Sequence, residues 1–335
     1  MKIDIHTHIM PKHIPDYNKE FGYSGFVTLE HIDESKGKMI KNNNIFRVID
    51  KNCWDEKAIL EDCAKFNIDL QVISTIPVLF NYWAKDQHTL KSSIYLNNHI
   101  ADITNNYPKK FLGLGTLPMQ NIDLAIKEME RCKNELGFKG LQIGSNINGV
   151  NLGDQKLYPF FEAAQDLEMS LMIHPWEMFG ADRLQEYWMQ WLVGMPAETA
   201  LAMCSMIFSG LFEKLPKLKV LFSHAGGSFP AGFGRIEHGY NVRPDLVAVD
   251  NDTNPRKYFK NFYLDSITHD IDILKYIIKM FGADRIALGS DYPFPLGELE
   301  PGRMIEESDL PQDTKDQLNY KTAVDWLNLD LKDFN

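Results

Sequence analysis

Two histidines stand one residue apart near the start of the chain, in the run Met1-Lys-Ile-Asp-Ile-His-Thr-His8. The run alternates apolar and polar positions and carries β-branched residues, which indicates a strand. Residues at i and i+2 of a strand point to the same face with Cα atoms about 6.6 Å apart, so His6 and His8 can converge on one metal ion. Two ligands do not complete a metal site, so this interpretation needs partners elsewhere in the chain.

Suitable partners stand at the carboxyl ends of three other predicted strands. Each is an imidazole or a carboxylate, and the three residues are His174, His224 and Asp291. Nitrogen and carboxylate oxygen ligands suit zinc, and iron, cobalt or manganese can fill a similar site. The four protein ligands would be His6, His8, His174 and either Asp291 or His224, which leaves one coordination position for water.

The glycines after His224 separate these two possibilities. A Gly226-Gly227 turn allows a substrate to approach closely, so we predict that His224 acts as the catalytic acid or base and that Asp291 is the carboxylate ligand. Water bound to such a metal is acidified towards a pKa of ~7 and becomes a nucleophile at neutral pH.

The remaining histidines stand away from the ends of predicted strands. His13, His31, His88, His99 and His238 fall in predicted helices or loops, and no role is assigned to them. His269 follows the seventh predicted strand by four residues and is kept as a candidate without an assigned role.

The elements that must position these residues are short apolar strands alternating with longer amphipathic helices. After the first strand, further strands are predicted over 70–75, 111–116, 140–143, 170–174, 219–224, 262–265 and 285–290. Helices are predicted over 55–66, 89–107, 123–136, 158–167, 199–215 and 271–281. This alternation indicates parallel βα units, and eight of them predict a (β/α)8 TIM barrel with its active site at the carboxyl ends of the strands. A doubly wound open sheet is the alternative, but no Gly-x-Gly-x-x-Gly follows the first strand.

Two segments extend the predicted barrel. Residues 11–54 lack a helical period and contain turn signals, which predicts a small β insertion with strands near 27–31 and 45–49. Residues 317–327 predict an additional C-terminal helix. No repeat or linker divides the sequence, so one domain over residues 1–335 is expected.

Composition restricts the classes of partner. A formal net charge of −11 disfavours nucleic acid and anionic membranes, which are bound chiefly through clustered Lys and Arg. No run of 18 uninterrupted apolar residues occurs, and the first strand begins at Met1, so neither a membrane span nor a signal peptide is expected. Four cysteines without Cys-x-x-Cys spacing favour a reducing compartment, and we expect a cytoplasmic enzyme.

The candidate ligands lie in motifs that resemble those of a known family. The motifs are His6-Thr-His8, His174-Pro-Trp176, His224-Ala-Gly-Gly227 and Asp291-Tyr-Pro-Phe-Pro295. They are similar to the metal-dependent amidohydrolase superfamily, in particular to its non-hydrolytic decarboxylase branch. Longer blocks extend this resemblance over almost the whole chain, among them Gly113–Gln120, Trp191–Thr199 and Pro293–Pro301.

The resemblance implies a metal centre and a catalytic group. Zinc, one ion per chain, would be held by His6, His8, His174 and Asp291, with His224 beside it as the acid or base. Binuclear relatives place a bridging carbamylated lysine at the end of strand four. Because Gln142 and Ile143 stand there in this chain, a single ion is predicted.

The resemblance also assigns residues to the substrate, a small anionic dicarboxylate. It implies that Arg47 of the insertion and Arg243, donated by the neighbouring subunit of a homodimer, bind the substrate carboxylates. The guanidinium fork matches a carboxylate with two parallel hydrogen bonds. Four further residues would line the pocket, namely Lys41, Met178, Trp191 and Phe294.

Two other classes of function stay open from the sequence. A hydrolase of lactones or cyclic amides would use the same metal and water on a carbonyl group, and a protein without catalytic activity could keep the ligand set as a scaffold. The two arginines and the single metal favour a decarboxylase over a hydrolase. Release of CO2 distinguishes the two activities.

Overall fold

The barrel is visible in a computed structural model that describes residues 1–334. Its eight strands are β1 (Ile3–Ile9), β2 (Leu70–Thr75), β3 (Phe111–Gly115), β4 (Gly140–Gly144), β5 (Ser170–His174), β6 (Val220–Phe222), β7 (Phe262–Asp265) and β8 (Ile286–Ala287). Each strand lies beside the next in chain order. The backbone N–H of Ile5 donates to the Leu288 carbonyl at 2.9 Å and closes the barrel between β8 and β1. The predicted (β/α)8 barrel is confirmed.

Helices surround the strands. The long ones are Glu56–Phe66, Asp86–Asn106, Ile122–Asn134, Tyr158–Asp166, Met195–Phe208, Phe229–Val242 and Ile271–Phe281. Shorter ones are Tyr17–Phe21, Leu211–Lys214, Pro244–Val247, Arg303–Glu307, Gln312–Asp316 and Thr322–Leu327, with π-helical turns at Gln190–Gly194 and Gln317–Lys321. Side-chain caps define several helix starts. Asp55, for example, accepts hydrogen bonds from the N–H groups of Lys57 and Ala58 at 2.9 and 3.1 Å.

The core of the barrel consists of two apolar layers, and only the carboxyl ends of the strands stay accessible. The outer layer packs the strands against the helices, whereas an inner cluster includes Ile5, Val72, Met172 and Leu221. Trp326 of the C-terminal helix is fully buried in that inner cluster. Its carbonyl also accepts a hydrogen bond from Ser170, the first residue of β5, at 2.5 Å. The C-terminal helix therefore closes the amino ends of the strands, and the carboxyl ends stay accessible.

The helices differ from the prediction at two places. The sequence predicts one helix over 199–215, but the structure has a helix over Met195–Phe208, a left-handed Gly210 with φ +73°, and a short second helix. The helix Phe229–Val242 is absent from the prediction, because glycines at positions 232, 234 and 239 interrupt its helical pattern.

The β insertion is confirmed, but it contains three strands rather than two. They are Thr28–His31, Lys36–Lys41 and Asn44–Asp50, paired antiparallel in that order. The middle strand begins with Lys-Gly-Lys, and lysine and glycine have low β-propensity, so the sequence does not predict this strand. Its pairing places Met39 opposite Arg47, next to a β-bulge between Met39 and Ile40.

One apolar stretch passes a test of length and composition for a membrane-spanning helix. The stretch is Gln190–Phe208, with a mean hydropathy of 1.4 and 39% of that window buried. Ala202, Met203, Met206 and Ile207 of this stretch are buried in the core. A core helix of a barrel passes the same test, so the stretch alone does not indicate a membrane span.

Candidate active site

The two histidines of β1 turn the same ring atom towards one point. His6 Nε2 lies 3.2 Å from His8 Nε2, and both side chains are buried. Their other nitrogens point away, with His6 Nδ1 2.8 Å from Asp265 Oδ2 and His8 Nδ1 3.1 Å from the Thr75 carbonyl. Because both of these acceptors take a proton from Nδ1, the lone pairs of the two Nε2 atoms are free for a metal ion.

His174 at the end of β5 and Asp291 after β8 complete the cluster. One ligand atom from each of His6, His8, His174 and Asp291 lies within 4.8 Å of all the others. Asp291 Oδ1 is 3.0 Å from His8 Nε2 and 3.5 Å from His6 Nε2. His174 Nε2 is buried and has no hydrogen-bond partner among residues 1–334. Such an atom costs about 1–3 kcal/mol when it stays uncompensated. Three imidazoles and a carboxylate arranged in this way fit a metal ion.

The electrostatics of the cluster match this fit. Burial lowers the pKa of His8, and burial together with the charges of His224 and His8 holds the pKa of His174 well below its usual value. Burial raises the pKa of the Asp291 carboxyl, but hydrogen bonds to His224 and His8 outweigh burial and hold that pKa well below its usual range. Neutral imidazoles and an ionised carboxylate are the protonation states that bind metals.

His224 lies beside this cluster. Its Nε2 is 3.6 Å from Asp291 Oδ2, and its ring centroid is 5.1 Å from that of His174. His224 and Ala225 both have left-handed backbones with φ +54°. A Cβ on Gly227 would lie 2.3 Å from the Pro196 carbonyl oxygen, so this glycine admits the start of the helix Met195–Phe208. The structure thus shows a packing role for this turn, and the close approach of a substrate stays a prediction.

Sequence reasoning missed Asp265, the last residue of β7. This buried carboxylate accepts hydrogen bonds from the backbone N–H groups of His224 at 2.8 Å and Ala225 at 2.7 Å, besides its contact with His6 Nδ1. It therefore holds the strained turn that carries His224 and orients one member of the cluster. A carboxylate at the carboxyl end of a barrel strand was the available signal.

A cavity of 400 Å³ opens above the cluster. Its wall is mostly aromatic and aliphatic, and includes Phe46, Trp176, Trp188, Trp191, Met195 and Phe294. Apart from the cluster and His224, the side chains in this wall that can carry positive charge are Arg47 and His269. The Arg47 guanidinium carbon lies 4.8 Å from the Phe294 ring centroid and 5.8 Å from that of Trp191. The structure thus brings the predicted residues Arg47, Trp191 and Phe294 together.

Three other predicted substrate residues lie outside this wall. Lys41 Nζ is 5.9 Å from the ring centroid of Trp176, which does line the cavity, and burial lowers the pKa of this lysine. Met178 is buried and 7% exposed. Arg243 is exposed and bonds Asp245 with its Nε and Nη2 atoms at 2.8 and 2.7 Å. Within its own chain, Arg243 does not reach the cavity.

Fold and site define the class of protein. The site of three histidines and an aspartate lies at the carboxyl-end face of a (β/α)8 barrel, as is usual for barrel enzymes, and this is the arrangement that the resemblance to metal-dependent amidohydrolases implies. Residues 3–329 match the amidohydrolase family, and the chain belongs to this family. The resemblance seen in the four motifs is confirmed.

Particular relatives narrow this class. The chain is 51% identical over 331 residues to 2-amino-3-carboxymuconate-6-semialdehyde decarboxylase of Dictyostelium discoideum, covering 98% of this chain and 92% of that protein. It is 36% identical to the protein of the same name in Caenorhabditis elegans, covering 98% and 94%. The chain is an enzyme of the amidohydrolase family, similar over nearly its whole length to decarboxylases.

Solved structures share the fold. 5-Carboxyvanillate decarboxylase of Sphingomonas paucimobilis has a TM-score of 0.83 at 20% identity, covering 98% of this chain and 99% of that one. Dihydroxybenzoic acid decarboxylase of Polaromonas, solved with manganese and the inhibitor 2-nitroresorcinol, has a TM-score of 0.77 at 21% identity, covering 98% and 97%.

Proposed function

We propose that this enzyme catalyses the non-oxidative decarboxylation of 2-amino-3-carboxymuconate-6-semialdehyde to 2-aminomuconate-6-semialdehyde, with one zinc ion per chain. The two relatives named for this reaction support the proposal. The structural observation that carries it is the cluster of three histidines and an aspartate with His224 beside it, Nε2 3.6 Å from Asp291 Oδ2. This arrangement combines a metal site with a separate proton-transfer group under an apolar cavity.

His6, His8, His174 and Asp291 would hold the ion. When bound, it supplies positive charge that draws electron density from a substrate or water oxygen. Zinc suits this mixed nitrogen and oxygen ligand set, and the Polaromonas neighbour was solved with manganese, so metal analysis of the purified protein decides between them.

The substrate is a dianion, whereas the protein carries a formal net charge of −11. Arg47 offers a guanidinium against aromatic rings, where reduced access of water strengthens its attraction for a carboxylate. Arg243 is proposed to bind the second carboxylate from the neighbouring subunit of a homodimer. Lys41 is proposed to support the pocket from beside Trp176, and Met178 is proposed to support it from beside Gly194.

Decarboxylation leaves an electron pair on the carbon that loses CO2. Either the conjugated semialdehyde of the substrate accepts this pair, or water first adds across a double bond of the conjugated system, and the electron pair left by CO2 then re-forms that double bond and expels the added oxygen as hydroxide. In both cases a proton replaces CO2 at that carbon. His224 is the proposed donor, because its Nε2 faces the cluster and its backbone is fixed by Asp265.

The proposal places this reaction in the kynurenine branch of tryptophan catabolism and the enzyme in the cytoplasm. Cys53, Cys63, Cys132 and Cys204 are all free, and three of them are buried. Unpaired cysteines are typical of a reducing compartment, which supports the proposed location.

The decisive experiment follows the absorbance of enzymatically generated semialdehyde in the presence of the purified protein. We expect one CO2 for each substrate consumed, loss of activity after chelation, and recovery with zinc. Consumption of substrate without CO2 would instead support a hydrolase. A resorcylate-type decarboxylase is the second candidate, since such an enzyme of Polaromonas is 31% identical over 222 residues, although these cover only 59% of this chain. Turnover of 2,6-dihydroxybenzoate with none of the semialdehyde would favour that candidate.

A further inference from the structure

A second buried carboxylate lies close to the cavity and takes no part in the metal cluster. Glu198, in the helix Met195–Phe208, is 2% exposed. Burying a carboxylate is costly unless hydrogen bonds replace those to water. The donors around Glu198 therefore identify the parts of the structure that this carboxylate connects.

Three neutral donors surround it. Glu198 Oε1 accepts from Asn146 Nδ2 at 2.9 Å and from Ser145 Oγ at 3.4 Å, and Oε2 accepts from the backbone N–H of Phe179 at 3.1 Å. Ser145 and Asn146 follow β4, whereas Phe179 lies in the segment after β5. One carboxylate thus connects a helix with the carboxyl ends of two neighbouring strands.

The same residues hold the segment Pro175–Phe179 by further hydrogen bonds. The backbone N–H of Trp176 donates to Ser145 Oγ at 3.3 Å, and Asn146 Nδ2 donates to the Trp176 carbonyl at 3.0 Å. The next residue, Glu177, has a left-handed backbone with φ +53°. A residue other than glycine keeps such a conformation only where its surroundings enforce it.

Both structures joined by Glu198 form walls of the cavity. Trp176 lines it from the segment after β5, and Trp191 and Met195 line it from the stretch that leads into Glu198. Met178 packs between them, since a Cβ on Gly194 would lie 3.2 Å from the Met178 Cβ. A shift of either wall changes the width of the cavity in which substrate must fit.

We propose that Glu198 is a positioning residue that fixes the spacing of these two walls and thereby sets the affinity for the dicarboxylate substrate. This inference rests on the proposed decarboxylase function. All three partners of Glu198 are donors, so a carboxylate satisfies each of them. The amide of glutamine has the same shape but accepts on one atom only, and its NH2 group would face a donor.

The test is Glu198→Gln, with Glu162→Gln as control, because Glu162 is exposed in the helix Tyr158–Asp166. We expect Glu198→Gln to raise KM on the order of tenfold, the effect of losing one hydrogen bond to a charged group. Bound metal should stay at one equivalent, and kcat should change less than KM. The control should match the wild type.

A second variant, Asn146→Ala, removes the same connection from the other side. It should raise KM similarly, and the double variant should be less impaired than the product of the two single effects. An unchanged KM in either folded variant, a fall in kcat alone, or additive effects would overturn the proposal. Should the wild type fail to decarboxylate the semialdehyde, the proposed function fails. In that case the proposal for Glu198 is tested by measuring the affinity of wild type and Glu198→Gln for cis,cis-muconate, a six-carbon dicarboxylate. Equal affinities of the two proteins would overturn the proposal.

Discussion

His6 Nδ1 lies 2.8 Å from Asp265 Oδ2, and this same oxygen accepts the backbone N–H of His224 at 2.8 Å. One buried carboxylate therefore orients a candidate metal ligand and holds the turn of the candidate acid or base. The contact keeps the proton of His6 on Nδ1, so that Nε2 is available to a metal ion.

The first prediction concerns Asp265→Asn. Asp265 accepts from His6 Nδ1 and from the backbone N–H groups of His224, Ala225 and Ile267. An asparagine side chain has only one accepting oxygen for these donors, so the orientation of His6 is weakened. We expect metal affinity to fall about 10–100-fold, measured by competition with a chelator. Asp272→Asn, an exposed change in the helix Ile271–Phe281, is the control. An unaltered metal affinity in Asp265→Asn would show that the contact does not support the site.

The second prediction is a mononuclear site. Metal analysis of the purified enzyme should find close to one equivalent per chain, and His174→Ala or Asp291→Ala should lose most of it because a ligand is missing. His238→Ala, at an exposed position of the helix Phe229–Val242, should retain the metal. Two tightly bound equivalents per chain would contradict this prediction.

The third prediction separates catalysis from metal binding at His224. His224→Ala should keep the metal and lose turnover by a factor on the order of 10²–10⁴, the usual contribution of a positioned acid or base. Metal content and kcat are measured on the same preparation. If metal and activity disappear together, His224 belongs to the ligand set instead.

The fourth prediction concerns the planar guanidinium group of Arg47, as distinct from its charge. Arg47→Lys keeps the charge but loses the guanidinium fork, so KM should rise about tenfold with a smaller change in kcat. Arg303→Lys, an exposed arginine paired with Glu300 and Glu307, is the control and should behave as wild type. A KM that does not respond to Arg47→Lys would exclude a two-point contact with a carboxylate.

Some of this site could be predicted from the sequence because its residues stand where parallel strands end. His6, His8, His174 and Asp291 each follow a short apolar run, and closure of a barrel brings such positions to one end. Asp265 follows a similar run, so its position could have marked it as a candidate. Its role, however, depends on a contact with His6 across 259 positions of sequence, and local pattern does not reveal such a contact.

Arg47 shows a second limit. The strand before it begins with alternating lysine and glycine, so neither the three-stranded insertion nor the place of Arg47 above Phe294 follows from local pattern. The proposed role of Arg243 in the neighbouring subunit shows another limit. In its own chain Arg243 is an exposed arginine paired with Asp245, and nothing there indicates a contact with a second subunit.

The fifth prediction tests that shared site. In a two-fold dimer each site would combine His224 of one chain with Arg243 of the other. His224→Ala and Arg243→Ala, each inactive alone, are mixed under conditions that exchange subunits. Random pairing gives roughly half heterodimers, and each heterodimer has one site with both residues intact and one with both missing. About a quarter of all sites should therefore regain activity.

The alternative gives a different result in the same experiment. If Arg243 served the site of its own chain, every site in the mixture would carry one lesion, and mixing would restore nothing. Subunit exchange is verified independently with two differently tagged chains, so that lack of recovery has a single meaning. A mixture that forms heterodimers yet stays inactive would contradict the shared site, and recovery of about one quarter of the wild-type activity would support it.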